Sequence, residues 1–131
     1  MRQSAVPQSD VHELGSPDYW YYKGELEARP SSVQPRPLAA GTGAYCDDSY
    51  CAHGSGRLGT DGGLSYEGTF VDGRMDGFGT YSDDSIDYVG RFKEGQPHGQ
   101  GTLTCPDGRR FEGVFADGWL SGKHWLWVCK T

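Results

Sequence analysis

The chain has 131 residues and a formal net charge of −6, and only 35% of its residues are hydrophobic whereas 21 are glycine. This length leaves room for one domain. The acidic balance argues against nucleic acid as a partner, because nucleic-acid binding depends on clustered Lys and Arg. No apolar run approaches the roughly 20 residues that a membrane-spanning helix requires. Composition therefore indicates one small domain without such a helix.

The N-terminal region is poorly suited to packing. We predict that residues 1–16 are disordered. The N-terminus lacks the apolar segment of a secretory signal, so we predict a cytoplasmic protein, with nuclear location and cytoskeletal or membrane association as alternatives. Residues 17–52 contain the strand-like sequence Tyr22-Lys23-Gly24-Glu25-Leu26, followed by several prolines and serines. We predict a partial first repeat strand at residues 22–26 and a mobile insertion loop over residues 27–52.

From residue 53 onward, one pattern recurs at a spacing of 22 and then 23 residues. It reads Tyr-x-Gly-x-Phe-x-x-Gly-x-x-x-Gly-x-Gly, and its three copies begin at Tyr66, Tyr88 and Phe111. The third copy has His124 in place of its last glycine, and a truncated copy at residues 53–62 precedes the first. A fixed period of this length indicates a repeat architecture, in which each unit buries its apolar side against its neighbours.

Alternation within each copy predicts a β-hairpin. Tyr66, Gly68 and Phe70 share one face of a strand, and Gly77-Phe78-Gly79 runs back after an Asp-Gly reversal. Because glycine weakens a strand, we predict that aromatic rings of one hairpin lie across glycine backbone of the adjacent hairpin. The other face is polar and carries Glu67, Thr69, Arg91, Gln100, Thr102, Arg110 and Glu112. The apolar face needs cover, from the N-terminal segment, a helix or a partner.

This pattern of six fixed positions resembles the MORN repeat (membrane occupation and recognition nexus) over roughly residues 53–124. The resemblance implies an all-β fold, in which residues 53–131 stack repeat hairpins into one elongated antiparallel sheet that usually serves as a scaffold. Members of the family include junctophilins, radial-spoke proteins, plant phosphatidylinositol-phosphate kinases and a SET-domain lysine methyltransferase. The repeat therefore indicates architecture more closely than activity.

The C-terminal segment differs from the earlier strands. Residues 123–129 are apolar on both faces, whereas solenoid arrays normally end in a polar cap. An uncapped apolar edge invites pairing with another chain. Two interpretations stay open: the segment packs back under the sheet as a core element, or it is a site for homodimerisation or partner binding. A third alternative is that the chain is a fragment or isoform of a longer protein.

The cysteines do not form a clear metal-binding motif. There are four of them, namely Cys46, Cys51, Cys105 and Cys129. Without a secretory signal, we predict free thiols. Cys46, Cys51 and His53 could also act as metal ligands, with Cys105 or His98 as the fourth, but zinc sites usually have more closely spaced pairs. We therefore predict neither a metal nor a cofactor.

The sequence also lacks a recognisable catalytic motif. His53 and His98 occupy the same repeat position, where the other units have Asp76 and Ser121. Local hydrogen bonding in a turn explains this variation better than general base catalysis does. The sequence has no nucleophile elbow and no phosphate-binding loop. We expect the chain to be non-catalytic.

These features favour an interaction scaffold that binds a protein partner through an aromatic groove or the C-terminal edge strand. One alternative is a peripheral phospholipid-binding module, which the net charge disfavours in spite of a basic patch formed by Arg91, Lys93, Arg109 and Arg110. Another is the repeat-bearing regulatory part of a larger enzyme, such as the methyltransferase or lipid kinases of the family. The candidate partner-binding residues are Tyr66, Phe70, Tyr88, Phe92, Phe111, Phe115, Trp119, Trp125 and Trp127. For each ring, packing over glycine within the chain is the competing interpretation.

Overall fold

The computed structural model describes residues 12–16, 20–36 and 44–130. Its strands are β1 (His12–Ser16), β2 (Trp20–Ala28), β3 (Tyr50–Thr60), β4 (Ser65–Val71), β5 (Arg74–Ser82), β6 (Asp87–Lys93), β7 (Gln96–Thr104), β8 (Arg110–Phe115), β9 (Trp119–Leu120) and β10 (Lys123–His124). A 3-10 helix, Val128–Lys130, follows. In the part of the chain that is described, no helix has the length and apolar character needed to cross a membrane.

Strands β1 to β8 form a single antiparallel sheet in which neighbours in sequence are neighbours in space. The predicted all-β fold with one antiparallel sheet is therefore confirmed. Strand β2 pairs with β3 so that Gly24 lies opposite Gly56, just as Gly68 of β4 lies opposite Gly79 of β5. Strand β2 thus supplies the first strand of the first repeat, across an insertion that runs only from β2 to the start of β3 at Tyr50.

The N-terminal predictions fall partly outside the described residues. Residues 1–11, for which we predict disorder, lie outside them. The last five residues of the predicted disordered segment, 12–16, form β1 and pair with residues 20–24 of β2. Regular structure therefore begins earlier in the chain than we predict from the sequence.

The β4–β5 and β6–β7 hairpins each have a bulge a few residues after their tyrosine. The register shifts between Gly68 and Phe70 and again between Gly90 and Phe92. At these bulges the hydroxyl of Tyr66 donates to the Thr69 carbonyl oxygen at 3.0 Å, and the hydroxyl of Tyr88 donates to the Arg91 carbonyl oxygen, also at 3.0 Å. The hydrogen bond satisfies a carbonyl beside the irregular ladder, which explains why a buried tyrosine is suited to this position.

The tyrosine rings lie on glycine, as we predict, but within their own hairpin. A side chain added at Gly79 would overlap the ring of Tyr66, and one added at Gly101 would overlap the ring of Tyr88. In each case the glycine is on the second strand of the same repeat, not on an adjacent hairpin. The ring and the bare backbone that it covers are therefore parts of one repeat unit.

Phenylalanine rings connect the repeats to one another. The Phe70 ring centroid lies 5.1 Å from that of Tyr22 and 5.1 Å from that of Tyr66, edge-on to both. Phe92 is placed in the same way between Tyr66 and Tyr88. We call these rings, together with Phe115 against Tyr88, the aromatic row. Edge-to-face contacts at this spacing are favourable, so the row joins all four repeats through one core.

Two segments cover the apolar face of the sheet. In the insertion, Tyr45 packs edge-on against Trp20, with ring centroids 5.4 Å apart. At the other end Trp125 packs against Tyr81 at 4.8 Å and Phe92 at 6.3 Å. Of the two interpretations of residues 123–129, Trp125 fits the first, because it packs back under the sheet as part of the core. The segment is not one strand, since β10 ends at His124.

The prediction of four free thiols is wrong. Cys46 forms a disulfide with Cys51 in the insertion, and Cys105 forms one with Cys129. The second bond ties the C-terminal segment to the turn between β7 and β8. Its partners are 24 residues apart in sequence and meet only because the segment folds back. Disulfide formation also removes Cys46, Cys51 and Cys105 from the alternative metal site.

Candidate binding surface

The predicted aromatic groove lies in the interior of the domain. Five of its six rings are at most 3% exposed, and they are Tyr66, Phe70, Tyr88, Phe92 and Phe115. The sixth, Phe111, is half-buried. Contacts within the aromatic row occupy the first five rings, so a partner could reach only Phe111 without opening the core.

Of the three predicted tryptophans at the C-terminal end, two are exposed. Trp125 is buried, whereas Trp119 is 50% and Trp127 is 60% exposed. Trp119 lies edge-on to His124, and Trp127 lies 5.5 Å from the Nζ of Lys130. Large exposed side chains of this kind are typical of interaction sites.

The last repeat has almost no second strand, and this leaves one edge of the sheet open. The second strands β5 and β7 each have nine residues, whereas β9 has two. After β9, Ser121 has φ 51° and Gly122 has φ 86°, the left-handed values of a tight hairpin turn. This turn pairs β9 with β10 instead of extending β9 along β8.

The backbone of β8 alternates between β7 and the open edge. The Cys105 N–H donates to the Arg109 carbonyl at the start of the β7–β8 hairpin. By the alternation of an antiparallel ladder, Phe111 and Gly113 then face β7, while the N–H and C=O groups of Arg110 and Glu112 face away from it. Within the described ranges no strand pairs with β8 on that side. A row of backbone donors and acceptors is therefore available there.

A groove of about 440 Å³ runs beside this open edge. Its lining consists of Arg110, Phe111, Glu112, Leu120, Ser121, Lys123 and Val128. Leu120 lies against the bare backbone of Gly113, because one of its methyl carbons is 3.2 Å from where a glycine side chain would begin. We call the open edge of β8 together with this groove the β8 edge groove. It has both hydrogen-bonding backbone and an apolar floor.

Comparison with protein families agrees with the geometry of the repeats. The family model of the MORN repeat matches residues 66–85 and 88–109, which contain the β4–β5 and β6–β7 hairpins. The chain therefore contains MORN repeats. A comparison with curated proteins found no match. MORN repeats indicate a repeat-based binding module for protein or membrane.

Half of the residues in the predicted basic patch are paired with carboxylates. Arg109 Nε lies 2.8 Å from a carboxylate oxygen of Asp107, and Arg110 lies 3.7 Å from Glu112. A hydrogen bond from the Arg109 backbone N–H, together with the guanidinium contact, lowers the pKa of Asp107. Arg109 also donates to the Cys129 carbonyl oxygen at 3.1 Å. Two of the four residues predicted to form the patch therefore have acidic neighbours, which weakens the patch as an anion site.

A repeated hydrogen bond of the MORN units explains the two paired histidines. The Asp72 N–H donates to Nδ1 of His53 at 3.2 Å, and the Asp117 N–H donates to Nδ1 of His98 at 3.1 Å. In the unit between them, Asp76 accepts from the N–H of Glu94 at 3.2 Å. This position does accept hydrogen bonds, but they are not local to one turn as we predict, because His53, Asp76 and His98 lie in strands and their donors lie in the next hairpin. It links each hairpin turn to the preceding hairpin.

Three potential metal ligands meet near the first of these turns. Glu27, His53 and Asp72 place their ligand atoms within 4.8 Å of one another. However, Nδ1 of His53 accepts from the Asp72 N–H, and Nε2 lies 2.7 Å from a carboxylate oxygen of Glu27. A neutral imidazole that accepts a hydrogen bond at Nδ1 carries its proton on Nε2, and this N–H donates a hydrogen bond to the Glu27 carboxylate. Hydrogen bonding within the chain therefore accounts for this cluster.

Proposed function

We propose that this MORN-repeat protein is a non-catalytic interaction scaffold that binds a protein partner at its C-terminal end. The observation that carries the proposal is the exposure of Trp119 and Trp127 next to the open β8 edge groove. Tryptophan dominates the energetics of many interfaces, because it buries a large area with little loss of conformational freedom. The disulfide of Cys129 supports the proposal, since it fixes the segment that carries Trp127.

The test compares two pairs of exposed aromatic residues. Trp119→Ser/Trp127→Ser removes the tryptophans at the C-terminal end, while Tyr21→Ser/Phe78→Ser removes two exposed aromatics elsewhere on the sheet. We expect affinity capture from cell extract to yield a protein that the second variant retains and the first one loses. Equal capture by both variants would contradict the proposal. Circular dichroism melting curves should first establish that both variants are folded.

A second candidate is a peripheral phospholipid-binding module. The position of Lys130 near the exposed ring of Trp127 favours it, because tryptophan and lysine together are common in the interfacial zone of membranes. The net charge of −6 opposes it, since an anionic surface repels an acidic domain. Flotation with phosphoinositide-containing vesicles at low salt tests this candidate. Absence of the protein from the floating fraction would remove it.

We also propose that the chain has no catalytic activity. The support is that His53 and His98 use Nδ1 to accept hydrogen bonds from turn residues. If the chain is the repeat-bearing part of a larger enzyme, we propose that it positions the catalytic domain or its substrate. A scan with methyltransferase and lipid-kinase assays tests this: turnover by the purified chain would overturn the proposal.

A further inference from the structure

We propose that the β8 edge groove binds an extended peptide that adds to the sheet as a ninth strand, with glycine opposite Gly113 and leucine or tyrosine opposite Phe111. This inference rests on the proposed function, because it names the class of partner that binds at the C-terminal end. The other sheet edge, β1, belongs to no repeat hairpin. In the earlier repeats a second strand fills the position that is open beside β8.

Strand β4 is the template for β8. Tyr66-Glu67-Gly68 in β4 corresponds to Phe111-Glu112-Gly113 in β8. Strand β4 is paired on both sides. On one side its Tyr66-Glu67-Gly68 lies opposite Gly56-Arg57-Leu58 of β3. On the other side it lies opposite Gly79-Thr80-Tyr81 of β5. Strand β8 has β7 on one side, as β4 has β3, but among the residues that the structure describes no strand lies on its other side, where β4 has β5. The missing partner is the second strand of its own repeat.

The geometry of the filled position explains why the peptide needs glycine. A side-chain carbon at Gly68 would come within 2.6 Å of the Gly79 Cα, and the Tyr66 ring leaves no space for a side chain at Gly79. Two facing glycines are therefore required wherever a second strand pairs closely beneath the ring. Gly113 and the half-buried Phe111 supply one glycine and one ring, and the Leu120 side chain that lies against Gly113 must rotate aside to admit the peptide. The peptide must supply the other glycine.

The polar face sets a second preference. Opposite Glu67, the β3 side has Arg57, whose guanidinium lies 3.2 Å from the carboxylate, and the β5 side has Thr80. Glu112 is the equivalent of Glu67, so a residue of the peptide opposite Glu112 should be threonine, arginine or lysine. Cross-strand pairs of this kind favour one register over others. The preferred peptide therefore reads Gly-(Thr/Arg/Lys)-(Leu/Tyr) and runs antiparallel to β8.

The probe is a fluorescein-labelled peptide with the nine-residue sequence of β5, Arg74–Ser82. We expect saturable binding to the folded chain in a fluorescence anisotropy titration. The same peptide with Gly79→Val should bind at least about tenfold more weakly, because the valine side chain would collide with Gly113 and Phe111. No saturable binding of the original peptide, or equal binding of the two peptides, would overturn the inference.

A protein variant tests the backbone contact. Glu112→Pro removes an N–H that faces the open edge, and an edge strand tolerates proline at such a position. We expect it to abolish peptide binding. Glu112→Gln is the matched control, because it keeps the N–H and should keep most of the affinity. Peptide binding by a folded Glu112→Pro variant at wild-type strength would contradict strand addition.

Amide hydrogen exchange of the unaltered chain gives a second measurement that does not depend on a variant. Peptide binding should slow the exchange of the Arg110 and Glu112 amides, while the Phe111 and Gly113 amides, already bonded to β7, change little. If the first pair is protected without peptide in a sample that light scattering identifies as dimeric, a second copy occupies the groove and the inference is wrong.

The two proposals can fail separately. Trp119→Ser/Trp127→Ser should retain binding of the β5 peptide, because the peptide contacts β8 and not the tryptophan rings. If the unaltered chain captures a tryptophan-dependent partner but does not bind the β5 peptide, strand addition alone is overturned. Intact peptide binding with no tryptophan-dependent partner would overturn the proposed scaffold function and leave the groove as a peptide site.

Discussion

Single residues decide how each repeat packs, and the tyrosine–glycine pair is the main example. Tyr66 and Tyr88 are buried, yet each keeps a hydrogen bond from its hydroxyl to a carbonyl at a bulge. The ring covers glycine backbone that would otherwise face a cavity. One residue type thus satisfies a polar group and fills space at the same time, which explains its recurrence at a fixed period.

The first prediction concerns Gly101. Gly101→Ala should lower the free energy of unfolding by about 2–4 kcal/mol, because its side chain would overlap the Tyr88 ring in a close-packed core. Gly113→Ala is the matched control: among the described residues its only near neighbour is the flexible Leu120 side chain, so the loss should be much smaller. Urea denaturation measures both. Similar values for the two variants would mean that the ring does not require the glycine.

The second prediction concerns alkaline pH. Burial raises the pKa of Tyr88 to about 12 and also raises the pKa values of Tyr22, Tyr66 and Tyr81. Because the unfolded chain has a tyrosine pKa of about 10, these groups stabilise the fold fully below pH 10, and this contribution is lost as the pH rises toward 12. Absorbance at 295 nm should show their ionisation coinciding with unfolding. Full ionisation near pH 10 with unchanged circular dichroism would contradict this.

At the scale of elements, the hairpins could be predicted and the end of the array could not. Alternation around Tyr66 and the Asp72-Gly73 reversal are local signals, and they give β4 and β5 directly. The fate of residues 119–130 depends instead on a left-handed turn at Ser121 and on contacts made only after folding. For the same reason, the sequence predicts that the aromatic rings lie over glycine but leaves open whether a partner can reach them.

The third prediction concerns the link between hairpins. His98→Ala removes the acceptor of the Asp117 N–H and should cost about 1 kcal/mol of stability, the usual worth of one hydrogen bond. His98→Asn should restore most of it, because Asp76 shows that a short oxygen acceptor fits the same repeat position. Chemical denaturation of the wild type and both variants checks this. Equal stability of the two variants would indicate that the hydrogen bond contributes little.

At the scale of the whole molecule, the protein keeps its one-sided sheet covered by folding both its insertion and its C-terminal segment onto the apolar face. Two disulfides hold these covers in place. Disulfides persist mainly in oxidising compartments. The cytoplasmic location that we predict from the sequence therefore loses the support of free thiols, and its test is thiol alkylation of protein extracted from cells.

The fourth prediction concerns the larger disulfide loop. Cys105→Ser/Cys129→Ser should lower the free energy of unfolding by about 3 kcal/mol, because cross-linking a loop of this length restricts the unfolded chain. The emission of buried Trp125 should shift to longer wavelength as its segment loosens. The Cys46–Cys51 disulfide closes a separation of only 5 residues, so Cys46→Ser/Cys51→Ser should lower the free energy of unfolding by less. Equal effects of the two pairs would contradict the role assigned to the C-terminal tie.

The turn at Ser121 and Gly122 has a consequence for how long such a protein can be. Every earlier hairpin offers its second strand as a platform for the next unit, so nothing in those units limits their number. Here no such platform forms, because the chain turns back after Leu120 and β9 pairs with β10. The turn thus ends the array after this unit, and grafting further 22-residue modules after Phe115 should lengthen the protein without redesign of the modules already present.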